Sequence, residues 1–302
     1  MRVGVDSGKC FSRAYPIRMT RRDAARSPRT VRWRITAILA CAVVAASIVT
    51  GVIAAVRPVD SRPVTIAQQD PETGGTAVLA SIPFTEAWSR ISQADTPFVV
   101  TVAGDSTGNA PGEWVDRAFH TLAAEKERPL VIHFWNEETH KYDLVSRANS
   151  DAEGAPIVVW NGSASGKTAA YSLKHIDLLV PEQPDAVIIN HGLNNVRNPD
   201  SAAPQIQAFV RAVDERWEET IGYAVILENP RFDRWKEPFE DVVSNVTDWA
   251  QPLSNVLLIN VYEAYLDSEN LDQLLFDDRL HPNTAGSQFT AQVVLTAIQD
   301  AS

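Results

Sequence analysis

The chain has 302 residues and a formal net charge of −11, but that charge is unevenly placed. Of 27 Lys and Arg residues, 11 lie in residues 1–57 against only Asp6 and Asp23, which leaves 16 basic and 36 acidic residues, a formal net of −20, for the remainder. A surface of that sign argues against nucleic acid as a partner of the main domain and against that domain lying flat on anionic lipid.

From the N-terminus, residues 1–34 form a basic tail with eight arginines between Arg13 and Arg34. Residues 35–56 follow without a single charge. At about 1.5 Å per residue this run reaches about 33 Å as a helix, enough to cross a bilayer core. The arginines before it keep the N-terminus in the cytoplasm and place everything after residue 56 outside. The rival reading is a cleaved signal peptide and a secreted product, but the apolar core of such a peptide is shorter, about 7–15 residues. Cys10 and Cys41 are the only cysteines, so the exported part has no disulfide and relies on its core.

Residues 57–83 mix Pro, Asp, Gln, Thr and Gly and read as a linker to a domain spanning 84–302. A short helix is expected over 84–93. Apolar, β-branched runs then predict strands at 98–103, 130–135, 157–160, 186–190, 222–228 and 256–261. Between and after them, helical periodicity predicts helices over 113–126, 167–178, 203–219, 240–250 and 284–299. Alternation of this kind specifies a parallel sheet with helices on both faces. The connection 136–156 is long and polar, either functional or mobile.

Four stretches at predicted strand or helix ends can carry chemistry. Gly104-Asp105-Ser106-Thr107-Gly108 closes the first strand, at the edge where open α/β sheets bind ligands. A serine there either caps the next helix or stands as a nucleophile. The five residues also satisfy G-x-S-x-G, the elbow of α/β-hydrolases, but that fold needs strands ahead of the serine and only an anchor and linker precede it. Asn161-Gly162-Ser163-Ala164-Ser165-Gly166-Lys167-Thr168 nearly spells a phosphate loop, with Asn161 where that motif needs glycine. Without a phosphate it remains a Gly/Ser turn whose backbone N–H groups suit an oxyanion. Asn190-His191-Gly192-Leu193-Asn194-Asn195 brings neutral amides to a strand end, and His191 in it reads as structural or rim. Asp278-Arg279-Leu280-His281-Pro282-Asn283 sets a carboxylate three residues before a histidine, so one ring nitrogen can be held while the other serves as a base.

In this order, the four stretches resemble the SGNH/GDSL hydrolase family over residues 98–299. Asn195 stands where the third block usually has Asp, and Thr107 where the first most often has Leu. The resemblance implies a three-layer α/β/α fold of flavodoxin-like type. It implies Ser106 as nucleophile, His281 as base and Asp278 as its orienting carboxylate, with an oxyanion hole from the N–H groups of Ser106 and Gly166 and the Asn194 amide. It implies no metal and no organic cofactor. The expected activity is hydrolysis of carboxylic esters through an acyl-enzyme, most simply short acyl groups such as acetyl on cell-surface carbohydrate. An acyltransferase on the same scaffold and a silent carbohydrate-binding domain are the alternatives.

The topology is open to a direct check. Alkaline phosphatase fused to the C-terminus should be active in a bacterial host; an inactive fusion reverses the orientation, and a shortened mature N-terminus replaces the anchor with a cleaved signal.

Overall fold

A computed structural model describes residues 82–217 and 221–301. The expected tail and anchor, and nearly all of the expected linker, lie outside the described residues; among those described, no helix is long and apolar enough to cross a membrane.

The domain opens with helix α1 (Phe84–Ser89) and a 3-10 turn, then strand β1 (Phe98–Gly104), helix α2 (Trp114–Glu125), strands β2 (Leu130–Asn136), β3 (Lys141–Ala148) and β4 (Ile157–Asn161). Short helices α3 (Ala169–Lys174) and α4 (Ile176–Leu179) lead to β5 (Ala186–Asn190), α5 (Ala202–Trp217), β6 (Gly222–Leu227), α6 (Lys236–Ala250) and β7 (Val256–Asn260). Helices α7 (Val261–Leu266), α8 (Leu271–Leu274) and α9 (Thr284–Ala301) complete it. The seven strands form one sheet in the order β3-β2-β4-β1-β5-β6-β7. All pairings are parallel except β2 with β3. Side chains from α1, α2 and α9 cover one face, and those from α5 and α6 the other. This is the three-layer α/β/α architecture expected.

Every residue of β1 is buried, as its continuous apolar sequence requires for a strand covered on both faces. It lies between β4 and β5, so the chain builds one half of the sheet, returns to β1 and builds the other. That reversal sets the carboxyl ends of β4, β1 and β5 side by side, the place where such sheets hold ligands.

Three expectations need correcting. The connection 136–156, expected without a strand, holds β3, antiparallel to β2 at the sheet edge. Lys141, Asp143 and Arg147 blunt this edge against further pairing, while a register shift opposite Phe134 and Trp135 and the adjacent exposed Leu144 and Val145 break the alternation that would have revealed a strand. The helix expected over 167–178 is two helices broken at His175, which has φ −109° and ψ 18°. Helix α6 starts at Lys236 rather than 240, because Pro238 sits in its first turn, where a missing N–H is tolerated.

Arg128 secures the N-terminal ends of β1 and β4. Its guanidinium, with the residue 2% exposed, donates to the carbonyls of Ile91, Thr96, Ala155 and Pro156 at 2.6–3.3 Å. Arg128→Ala would strand these buried acceptors and should cost about 3 kcal/mol. For a domain of this size that corresponds to a Tm lower by about 6–12 °C in calorimetry. An unchanged Tm would show the carbonyls finding water instead.

Candidate functional site

The site assembles where four adjacent strands end. Gly104 closes β1, and a Cβ there would stand 2.7 Å from Ser163 Oγ and 3.3 Å from Asn190 Cβ. Only glycine lets the β4 loop and the end of β5 close on β1, with Ala164 N–H donating to the Gly104 carbonyl at 3.0 Å.

The next residues turn sharply. Ser106 is half-buried, and its Oγ lies 2.9 Å from His281 Nε2. His281 Nδ1 lies 2.7 Å from Asp278 Oδ2. The other Asp278 oxygen accepts the backbone N–H groups of Leu280 and His281, each at 3.0 Å. Burial pushes the Asp278 carboxyl up, but hydrogen bonds from the His281 ring and these two N–H groups outweigh it and hold the group below its ordinary range. An ionised Asp278 accepts from Nδ1, which leaves Nε2 to receive a proton from Ser106. Three residues expected to act together, 175 positions apart in sequence at the widest hydrogen bond, are thus in one hydrogen-bonded line. Asn283, just ahead of α9, caps it by accepting from the N–H groups of Ala285 and Gly286.

The expected oxyanion donors are placed as follows. The Ser106 and Gly166 N–H groups make no hydrogen bond among the described residues. Gly166 is exposed and has φ +69°, a left-handed turn that glycine adopts without strain. Asn194 differs: its amide already donates to Asp105 Oδ2 at 2.7 Å and to the Lys167 carbonyl at 3.1 Å. It therefore bridges the serine turn and the Gly166 loop, and to serve an oxyanion it must release Lys167. Asn195, in the position where an Asp is usual, holds the loop to α5 by donating to Ser201 Oγ and Gln205 Oε1. His191 is structural, fully buried and paired with Ser172 Oγ at 2.8 Å; burial pushes its pKa down to about 3, so it stays neutral. Asn161 donates to the Gly108 carbonyl and accepts from Ser163 N–H, tying the near-phosphate loop to the serine turn.

Sequence reasoning missed the segment after β6. Glu228 accepts from Leu193 N–H at 2.7 Å, and Arg231 donates to the Leu193 carbonyl at 2.7 Å while chelating Asp233. Asn229 donates to the Leu280 carbonyl at 2.9 Å, and Phe232 N–H to that of Arg279 at 2.9 Å. One loop therefore braces both the Asn194 loop and the His281 loop. A charged residue closing an unbroken apolar strand, Leu227-Glu228-Asn229-Pro230, was the available signal.

Residues 102–289 match the GDSL-like lipase/acylhydrolase family. No curated protein matches the sequence. A putative GDSL-like lipase from Parabacteroides merdae has a similar fold, with TM-score 0.50 and 12% identity over 68% of this chain and 97% of its own. Two further solved structures are similar at lower scores. The acetylxylan esterase Axe2 from Geobacillus stearothermophilus has TM-score 0.47 and 18% identity over 68% and 95% of the two chains. The psychrotrophic esterase EstA from Pseudoalteromonas sp. has TM-score 0.46 and 19% identity over 67% and 97%. The family match runs from within β1, through the serine turn and the Gly and Asn loops, past His281 and into α9, and by it this chain belongs to the GDSL-like lipase/acylhydrolases and is a carboxylic ester hydrolase.

Proposed function

We propose that Ser106, His281 and Asp278 are the catalytic triad of a membrane-anchored, extracytoplasmic esterase that removes short acyl groups, chiefly acetyl, from cell-surface carbohydrate. The unbroken hydrogen-bonded line from Ser106 Oγ through His281 to Asp278 carries this reading. Ser106 attacks the ester carbonyl carbon while its proton passes to His281 Nε2. The oxygen that becomes negative is held by the N–H groups of Ser106 and Gly166 and by Asn194, which turns one N–H from the Lys167 carbonyl to the oxyanion. His281 returns the proton to the leaving alcohol oxygen as the C–O bond breaks. Water, deprotonated by the same nitrogen, then cleaves the acyl-enzyme.

The substrate class rests on access and charge. The side chains of His281 and Asp278 are 35% and 48% exposed, and Gly166 is exposed as well, so the reacting groups stand at an open rim. An open rim suits an ester projecting from a bulky polymer. The acidic main domain disfavours a charged lipid surface as the substrate and nucleic acid as a partner. The basic tail and uncharged run 35–56 support an anchor with the N-terminus inside and the esterase domain outside.

Ser106→Ala should abolish hydrolysis of nitrophenyl acetate and labelling by a serine-reactive phosphonate while leaving the circular dichroism unchanged. Ser106→Ala combined with His281→Ala should be no less active than Ser106→Ala alone, because the two act as a unit. Asp278→Asn should lower kcat by about 10⁴, since an amide favours the wrong imidazole tautomer. Appreciable activity in purified Ser106→Ala places the nucleophile elsewhere.

Asn194→Ala should lower kcat by about a hundredfold to a thousandfold with little change in KM, the mark of a bond made only in the transition state. A rise in KM alone would make Asn194 a substrate-binding residue instead. Acetate release from cell-wall carbohydrate, set beside a series of nitrophenyl esters of growing chain length, tests the substrate class; a preference for long acyl chains sinks it.

A further inference from the structure

Beneath the serine turn lie two carboxyl groups that the ester chemistry does not itself use. Asp105, one residue before Ser106, is fully buried, and Glu228, at the end of β6, is 4% exposed. They meet at the Thr107 hydroxyl, which lies 3.1 Å from Asp105 Oδ1 and 3.5 Å from Glu228 Oε1. Asp105 Oδ1 accepts the N–H and hydroxyl of Thr107, each at 3.1 Å, and Oδ2 accepts the Asn194 amide at 2.7 Å. Glu228 Oε2 accepts Leu193 N–H at 2.7 Å, and Oε1 faces the Asn190 amide at 3.2 Å.

Charge around the pair does not neutralise it. Arg231 is committed to Asp233 and the Leu193 carbonyl, and Glu113, on the loop before α2, adds a further carboxyl. The charge of a protonated His281 would reach Asp105 through space, but its ring is held by Asp278 and Ser106. Two buried carboxyls that share one hydroxyl cannot both ionise without a large repulsive cost, so one proton stays between them. Burial pushes both carboxyls up, but the Asp105 oxygens accept three hydrogen bonds, from Thr107 N–H, the Thr107 hydroxyl and the Asn194 amide, which favour its charged form; the proton therefore sits on Glu228, which burial and the neighbouring Asp105 push well above its ordinary range.

We propose that Glu228 is a positioning residue for ester hydrolysis: it donates one retained proton to Asp105, which remains a carboxylate and aims the Asn194 amide, while its other oxygen fixes the Leu193 N–H. This rests on the reading of Ser106 and Asn194 above. Without the proton, two anions would repel across the turn that carries the nucleophile. Without the carboxyl, Asp105 would lose its partner and the Asn194 loop its anchor.

Glutamine keeps both a donor and an acceptor at this position without an ionisation, and alanine keeps neither. In the full-length protein, Glu228→Ala should lower kcat for nitrophenyl acetate about a hundredfold with KM within about twofold, and Glu228→Gln should recover most of that loss. A carboxyl whose pKa is raised by folding stabilises the fold below the ordinary carboxylate range, about pH 4, and that contribution is lost as pH rises through the folded value. The wild-type Tm should therefore fall with rising pH relative to that of Glu228→Gln. Should Glu228→Ala not fold, the wild type and Glu228→Gln decide by this Tm comparison. Parallel Tm profiles, or a folded Glu228→Gln as slow as Glu228→Ala, overturn the proposal. Phosphonate labelling of wild-type Ser106 separates the two readings: label at Ser106 with either of those results removes only the role of Glu228, and absence of label removes the triad and this proposal with it.

Discussion

A carboxyl group with no exposed surface, one residue before the candidate nucleophile, constrains much of this site. Asp105 sits at the point where the central strand ends, and burial deprives both of its oxygens of water. They must be satisfied by protein groups or the fold loses several kcal/mol. Thr107 and Asn194 supply the hydrogen bonds, and in doing so fix the turn that carries Ser106 and the loop that carries Asn194 relative to each other. The close approach at Gly104 permits this, because any side chain there would hold the loop after β4 away.

The His281 loop is built differently. It lies at the surface and depends on short-range bonds: Asp278 accepts two backbone N–H groups of its own turn as well as the imidazole. Its longer-range support comes from the segment after β6, through Asn229 and Phe232. That segment also holds Leu193 at both its N–H and its carbonyl. One stretch of chain thus keeps the imidazole and the Asn194 amide in register, which two independently mobile loops could not do. An open rim carries little risk for this chemistry, since the acceptor in hydrolysis is water.

Much of the architecture was legible because its signals are local. A continuous apolar run such as Phe98–Gly104 can be satisfied only by a strand covered on both sides, and the alternation of such runs with helical periodicity fixes a parallel sheet. Strand β3 escaped because a register shift and two adjacent exposed apolar residues, Leu144 and Val145, interrupt the period of an edge strand that buries little. The break at His175 escaped for a related reason: helical spacing on either side is compatible with one helix until backbone geometry interrupts it.

The sequence by itself determined the residue types and their order: a serine in a tight turn, a glycine loop, an asparagine loop and an Asp-x-x-His turn, each beside a regular element that would present it. Those are one-dimensional patterns, set by turn chemistry and periodicity. Only the tertiary structure decided that Ser106 meets His281 across 175 positions, that Asn194 is already engaged by Asp105 and Lys167, and that Glu228 closes the network from beneath. Each of these depends on strand order: β1, β5 and β6 lie side by side in the sheet although whole helices separate them in the chain, and no spacing in the sequence records which strand ends will be neighbours.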